Sequence, residues 1–529
     1  MQQRDFMVPG RSVAIAEKAM AATSHPQATL VALDMLRAGG NAVDAALAAV
    51  ALQCVIDPHM TGIGGDCFAL YAPAGADPVC INGSGRTPAA ARLETLLQAG
   101  HASVPDMSAH AITIPGAVDA WCRLSMAHGR LDLETVLAPA IAAAENGFTV
   151  TPRVALDWQV YCHRLAAHPP AAAQFLPKGR PLDIGDSLAN PALAGTLRRI
   201  GREGRDAFYT GAVAADMVAT LQAVGGAHEL ADFAGHASLE SAPISARYRD
   251  CELLECPPNG QGLTALVLAR LLDGFDLSDP QLSQADRIHL LAEATKAAYR
   301  LRDHYIADPA AMPLGVDELL SESAMALLRQ RIALDRASPV ESYDFPIHRD
   351  TVYVSVVDAD GNAISLINSV FNAFGSGIYA ARSGVLFNNR GSGFSLVPGH
   401  PNAYGPAKRP LHTIIPAIVR RNGQVVMSYG VMGGQYQAVG HIHILSQILD
   451  RGMDVQQASD QPRSFFTEGA ITLEPTIGDD VRLDLERRGH RTRWATEPLG
   501  GCQAIWIDRE RGLLWGASDH RKDGIALGF

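Results

Sequence analysis

From Pro26 to Ile56, apolar side chains recur at helical spacing in two Ala- and Leu-rich runs. The runs part at Gly39-Gly40, where one helix ends and a second begins at Asn41. Polar positions are so sparse in the second run that both helices are expected to be buried. Next, DPHMTGIGGDCFALYAP at Asp57 to Pro73 predicts a glycine-rich turn feeding a short apolar strand. NGSGRTP at Asn82 to Pro88 predicts a polar loop of the kind that lines sites on rigid scaffolds.

From Ala117 to Leu334 the period is mostly helical, as at Leu133 to Glu145 and Ala285 to Asp303, with breaks such as CPPNGQG at Cys256 to Gly262. Periodicity stops in SPVESYDFPIHRD, Ser338 to Asp350, which reads as an exposed linker. At Thr351 the pattern changes to strict alternation: TVYVSVVDADGNAISLINS predicts a β-hairpin turning over Asp358 to Asn362. Strand-like pieces follow at Gly384 to Phe387, Thr413 to Val419 and Val425 to Tyr429. A helix at Gln437 to Asp450 and a strand pair near Ala504 to Trp515 complete a mixed α+β unit of sheet layers under helical cover.

A chain of 529 residues with 47% hydrophobic and 19% charged content folds as a soluble globular protein with one large core or two ordinary ones. Its net charge of −11 and the absence of any Lys/Arg run exclude a phosphate-tracking surface, so small molecules rather than nucleic acid are the expected partners. The longest apolar run, Ala42 to Ile56, contains Asp44 and falls short of the roughly 20 residues a membrane span needs. Charges interrupt every apolar stretch of Met1 to Ser24, so no export signal is expected. The eight cysteines are scattered, and the closest pair, Cys251 and Cys256, lacks zinc or redox spacing. Reduced thiols in a cytoplasmic protein are the expectation.

One residue type stands where chemistry can start. A threonine hydroxyl needs a base beside it, and a free α-amine, with a reference pKa of about 8, is a base the residue itself supplies when it heads a chain. Thr351 meets that condition if the chain is cut after Asp350. The hairpin then sets residue 351 opposite Ser369, whose hydroxyl can support the nucleophile. Gly433-Gly434 offers backbone N–H groups for an oxyanion. Taken singly, Gly-Gly after a strand is more often a turn, and Thr at a strand start is ordinary. TGIGGD at Thr61 to Asp66 lacks G-K-[ST] and reads as a packed turn, and His441-x-His443 has helical surroundings and no third ligand, so no metal is expected.

Ordered motifs along the chain raise those odds. AGGNAVDAALA at Ala38 to Ala48, TGIGGD, TIPGAVDAW at Thr113 to Trp121 and LAEATKAAYRLRDHYIADP at Leu291 to Pro309 lie in the first part. RDTVYVSVVDADGNAISLINSVFNAFGSG at Arg349 to Gly377, GPAKRPL at Gly405 to Leu411 and GASDHRKDG at Gly516 to Gly524 follow. In this set the chain resembles the gamma-glutamyltranspeptidase family. The resemblance implies the four-layer αββα fold of the N-terminal-nucleophile hydrolases and self-cleavage between Asp350 and Thr351. It further implies Thr351 as nucleophile, Ser369 as supporting hydroxyl, and Gly433 and Gly434 as oxyanion donors, with no cofactor and no metal. Residues 1–350 and 351–529 would stay associated as large and small subunits of one domain, with a dimer of such heterodimers possible.

The substrate pocket departs from the glutamyl pattern. The family's Arg is replaced by Ser84-Gly85 with Arg86 two places on, an Asn by Phe371, and a Gln by Arg390 after Asn388-Asn389. The amine-binding Asp is Gly393, the paired serines are His412-Thr413, Gln435 follows the glycines, and the loop between Tyr404 and Lys408 is short. Without the Asp, a desolvated ammonium would be unpaired at a cost of kilocalories per mole. Arg86 and Arg390, though equally suited to structural ion pairs, would offer forks to a carboxylate, and Phe371 would shrink the pocket. The expected substrate is a small anionic amide without an amine, best exemplified by oxamate, hydrolysed through an acyl-enzyme to oxalate and ammonia. The alternatives are a gamma-glutamyl transferase or hydrolase acting on glutathione-like or other acyl-amide substrates, and an unprocessed binding module. Joint retention of Thr351, Ser369, Gly433 and Gly434 favours an enzyme.

Overall fold

A computed structural model describes residue 7 and residues 10–339 and 351–529, so Asp350 and most of the expected linker lie outside the described residues. The alternating segment after Thr351 forms the expected hairpin. Strands Val352–Val357 and Ala363–Ser369 pair antiparallel, with Val352 opposite Asn368 and Val357 opposite Ala363. Asp358 closes the turn by accepting the backbone N–H of Asn362 on Oδ1 and its side-chain amide on Oδ2, and Oδ2 also accepts the N–H of Ala42 at 2.9 Å. That second bond ties the hairpin to the start of helix Ala42–Ile56, where anionic oxygen complements the helix dipole. Asn41 and Asp44 form a reciprocal capping box there, which is why the helix starts just after the Gly39-Gly40 break.

Two seven-stranded sheets stack face to face. In the first, Ile525–Gly528, Met20–Thr23, Val352–Val357, Ala363–Ser369, Asp66–Ala72, Val79–Gly83 and Leu239–Ser241 lie side by side. In the second the order is Ala14–Ala16, Leu513–Ser518, Gly501–Asp508, Gln424–Met432, Ala417–Arg421, Cys251–Glu255 and Ile244–Tyr248. Both sheets combine strands from either side of residue 350. The inner layer packs Phe68, Leu70, Tyr353 and Ile367 against Leu254, Ile418 and Met432. Helices Ala42–Ile56 and Ala117–His128 cover the outer face of the first sheet, and Gly262–Leu272 and Gln437–Leu449 that of the second, giving the αββα layering.

The chain departs from the sequence pattern in three places. The stretch read as mostly helical contains the strands Leu239–Ser241, Ile244–Tyr248 and Cys251–Glu255, the first at one edge of the first sheet and the last two forming one side of the second. Each is five residues or fewer, too short for a period to show. Two short strands, Ala14–Ala16 and Met20–Thr23, come before the first helix, and a three-stranded sheet of Ser464–Thr467, Ala470–Leu473 and Thr492–Trp494 sits beside the second layer. All eight cysteines are free thiols. No helix among the described residues is long and apolar enough to cross a membrane.

Candidate active site

Thr351 stands at the head of its strand, 1% exposed, with the hydroxyl of Ser369 at 3.5 Å. Since Val352 pairs with Asn368, the ladder places 351 beside 369 as the hairpin requires. Ser369 Oγ accepts the backbone N–H of Phe371 at 2.9 Å. A third group reaches Thr351 from the start of a helix: Gln437 donates Nε2–H to Thr351 Oγ1 at 3.5 Å, while its Oε1 accepts the N–H of Ile415 at 3.1 Å. Gln437 opens the helix that follows the glycine pair, so the two features are adjacent along the chain.

Gly433 (φ 123°) and Gly434 (φ 57°) both occupy the left-handed half of backbone space. A Cβ at Gly433 would stand 2.8 Å from Gly500 Cα, so glycine is required there sterically as well as conformationally. Consecutive N–H groups in such a turn form a concave anion-binding nest. The turn is braced from behind: Gln261 donates Nε2–H to Gly434 O at 2.9 Å and to Thr413 O at 2.7 Å. Arg302 donates to Oε1 of both Gln261 and Gln435, and Tyr299 donates its hydroxyl to Gln435 O. Gln435 is therefore held as part of this brace.

Beyond Ser369 the first sheet continues into Asp66, the register partner of Ser369 on the next strand. Asp66 is fully buried. Its Oδ1 accepts the N–H of Gly85 at 3.0 Å, and its Oδ2 meets Arg390 Nε at 3.3 Å and His412 Nε2 at 3.1 Å. His412 Nδ1 accepts the N–H of Ile414, which leaves Nε2 as the protonated nitrogen donating to Asp66. Burial alone would raise the Asp66 pKa, yet the bond to His412, the Arg390 charge and the Gly85 amide bring it below the usual carboxylate range. Burial and the Arg390 charge hold His412 neutral, down at about 4, and burial lowers Arg390 to about 10, which leaves it charged at neutral pH. The sequence pattern had placed Asp66 in a packed turn, and the turn is indeed tight: a Cβ at Gly65 would lie 2.3 Å from the carbonyl oxygen of Ser369. That backbone-to-backbone approach, at the end of the ladder that pairs Asp66 with Ser369, puts the carboxylate beside Thr351 and Ser369.

Arg390 lies wholly buried over the face of Phe371, its guanidinium carbon 4.3 Å from the ring centre. Nη1 donates to Thr413 Oγ1 at 3.0 Å, and Nη2 is a buried donor without a partner. Phe371 adopts φ 84°, a conformation that costs a non-glycine residue about 1–3 kcal/mol and that clusters at functional sites. Arg86 is placed differently. Its side chain is 42% exposed and donates to Asp308 Oδ2 at 3.0 Å and to Ala407 O at 2.9 Å. It staples the short loop before Lys408, and of the two arginines only Arg390 sits with Phe371 and Thr413.

On the opposite flank, beside strand Met20–Thr23, a narrow cleft reaches Thr351 and is walled by His25, Asp57, His59, Asp157 and Lys522. Burial pushes Asp57 up to about 6 and His25 down to about 4. Neither this flank nor Gln437 was legible in the sequence. Among the described residues, His289, Glu293 and His490 form the one group with metal-ligand character. Their ligand atoms are already taken, since His289 and His490 share a hydrogen bond at 2.8 Å and Lys296 donates to Glu293 at 2.7 Å.

Comparison with known proteins follows the same lines. The family model for gamma-glutamyltranspeptidase matches residues 28–529. The chain is 36% identical to a glutathione hydrolase-like proenzyme, YwrD, of Bacillus subtilis over 97% of this chain and 99% of that one. It is 34% identical to an oxamate amidohydrolase proenzyme of Klebsiella pneumoniae over 96% and 98%. The crystal structure of a cephalosporin acylase from Bacillus halodurans superposes with a TM-score of 0.94 at 35% identity, covering 100% of this chain and 99% of that one.

Proposed function

We propose, from the premise that this chain belongs to the gamma-glutamyltranspeptidase family of autoprocessing amide hydrolases, that it hydrolyses a small carboxylated amide lacking an α-amine, with oxamate as the best instance. The observation that carries this reading is Arg390: a buried guanidinium with one unpaired donor, stacked on Phe371. An unmade hydrogen bond on a buried cation costs a few kilocalories per mole, and a substrate carboxylate would recover it. The nearby carboxylate, Asp66, is buried and already accepts from Arg390, His412 and Gly85, so its charge is engaged within the protein rather than presented to a substrate ammonium. An amino-acid head group would be unpaired where an oxamate carboxylate is matched.

In the reaction, Thr351 Oγ first attacks the carbonyl of Asp350, breaking the C–N bond and leaving an ester that water hydrolyses. This frees the carboxyl of Asp350 and the α-amine of Thr351. In turnover the amine takes the hydroxyl proton as Oγ adds to the amide carbonyl, and the nest of Gly433 and Gly434 receives the oxyanion. The proton passes to the departing nitrogen, ammonia leaves, and water activated by the same amine releases oxalate. Ser369 and Gln437 hold Oγ in line. Following carbon-13-labelled oxamate by NMR with the self-cleaved protein tests the reading. Conversion to oxalate with equimolar ammonia supports it; unchanged oxamate beside turnover of a γ-glutamyl amide rejects it.

A further inference from the structure

His441, half of the His-x-His pair for which no metal is expected, is held by an acid from the sheet beneath it. Its Nδ1 lies 2.7 Å from Oε1 of Glu255, and neither side chain has any exposure. Burial raises the Glu255 carboxyl well above its usual range and lowers His441 to about 3, so both groups are uncharged near neutral pH. Glu255 Oε2 and His441 Nε2 are buried without hydrogen-bond partners. The acid proton therefore sits on Oε1, the oxygen that has an acceptor, and is donated to Nδ1.

For stability alone this is a poor arrangement. One neutral hydrogen bond returns less than two orphaned polar atoms cost, and an apolar pair of the same shape would be no less stable. Where a buried polar pair is kept at such a cost, its best-attested use is to fix the register of one element on another.

The two elements joined here both lead to the active centre. Glu255 is the last residue of strand Cys251–Glu255, and the turn that follows it ends on Gln261, whose amide braces the glycine turn through Gly434 O and holds Thr413 O. His441 lies one helical turn beyond Gln437, whose amide reaches the Thr351 hydroxyl. Packing leaves little slack around the pair. A Cβ at Gly262 would stand 2.8 Å from that of Glu255, and a Cβ at Gly440 would stand 2.6 Å from Cγ1 of Val431. Tyr429 donates its hydroxyl to His441 O at 3.2 Å from the neighbouring strand.

We infer that Glu255 and His441 are positioning residues for the reaction at Thr351. Their hydrogen bond locks the helix that starts at Gln437 to the strand whose following turn carries Gln261, and so fixes the hydroxyl and the oxyanion turn in one relative placement. The inference rests on Thr351 as nucleophile and is independent of which amide is hydrolysed.

The test compares Glu255→Leu, His441→Leu, the double Leu variant and Glu255→Gln by gel-monitored self-cleavage, steady-state kinetics on oxamate and thermal unfolding. A reacting group misplaced by about 1 Å costs up to about 100-fold in rate, so each single Leu variant should slow cleavage and lower kcat by about 10- to 100-fold with KM within about twofold. The double variant should unfold at or above the native temperature, since an apolar pair replaces a buried polar one. It should nevertheless be as slow as the single variants, because the pair acts as one unit. Loss of rate without loss of stability is a pattern that a merely structural pair does not produce. Glu255→Gln, whose amide still donates to Nδ1, should keep near-native rates. Self-cleavage rates decide the matter even where oxamate is not turned over, and a native chain that never cleaves rejects Thr351 and the inference with it. Equal cleavage by the native chain and the double variant, a rise in KM in place of a fall in kcat, or Glu255→Gln as slow as Glu255→Leu overturns the inference alone.

Discussion

Arg390 and Asp66 meet at 3.3 Å with neither side chain reaching solvent, one strand away from the hydroxyl pair of Thr351 and Ser369. A buried pair of this kind is kept only when its remaining hydrogen-bonding positions are filled. Removing one partner typically costs about 3–5 kcal/mol, because the other charge is stranded. Here the carboxylate is filled by His412 and Gly85, and the guanidinium keeps one donor open. Asp66 therefore orients Arg390, and Arg390 is left to hold something else.

Arg390→Met should raise KM for oxamate at least about tenfold, the loss of one charge-assisted hydrogen-bond pair, with self-cleavage preserved. Arg390→Lys keeps the charge but not the fork and should fall between. Arg86→Ala, which removes an exposed staple to Asp308, should leave KM within about twofold and shift stability by no more than about 1 kcal/mol. Steady-state kinetics on the three variants check this; a larger KM effect at Arg86 than at Arg390 would reverse the assignment.

Thr351→Ala should leave a single uncut chain without turnover, and Thr351→Ser should restore both. Ser369→Ala and Gln437→Leu each remove a contact to the nucleophile and should slow self-cleavage and turnover together by roughly 10- to 1,000-fold. Denaturing gels over time, showing fragments 1–350 and 351–529, read the first effect, and initial rates the second.

Gly434→Ala and Gly433→Ala each force an L side chain into a left-handed conformation, and the second also drives a Cβ to within 2.8 Å of Gly500 Cα. Both should cut kcat by about 100- to 1,000-fold, as expected for a displaced oxyanion donor, with unfolding free energy lowered by about 1–3 kcal/mol. Wild-type kcat in either variant would remove the glycine turn from the mechanism.

Several buried histidines give stability a definite pH dependence. Burial holds His25, His228 and His412 down at about 4, and His441 and His443 at about 3, against an ordinary value of 6.5. The folded state keeps them neutral, while the unfolded chain takes up protons near pH 6.5. Their contribution is therefore complete above pH 6.5 and is lost as pH falls toward 4, at up to about 1.4 kcal/mol per pH unit for each histidine. Urea midpoints between pH 8 and 4.5 should drop steeply below 6.5, and His443→Gln should flatten the slope by about one proton. A flat profile from pH 7 to 5 would contradict this.

The sequence disclosed what depends on long periods or on local pairing. Helices Ala42–Ile56, Leu133–Asn146 and Gln284–Tyr305 and the hairpin from Thr351 to Ser369 were legible because their patterns run for many residues. The opposition of Thr351 and Ser369 followed from counting across the turn. What stayed hidden depends on tertiary approach. Asp66 lies nearly three hundred residues before Thr351, and the strand pairing that sets it opposite Ser369, with the close approach at Gly65, brings it alongside. Gln437 was read simply as the start of a helix, and Arg86 shares the chemistry of Arg390 but not its burial, which no sequence pattern encodes.

The most direct measurement is the ratio of kcat/KM for ammonia release from oxamate to kcat/KM for chromophore release from a γ-glutamyl anilide, taken on the self-cleaved protein and on Arg390→Met. The ratio should favour oxamate by orders of magnitude in the native protein and collapse in the variant. A native protein that prefers the glutamyl compound, with the preference untouched by Arg390→Met, would contradict the assignment of this pocket to a small carboxylated amide.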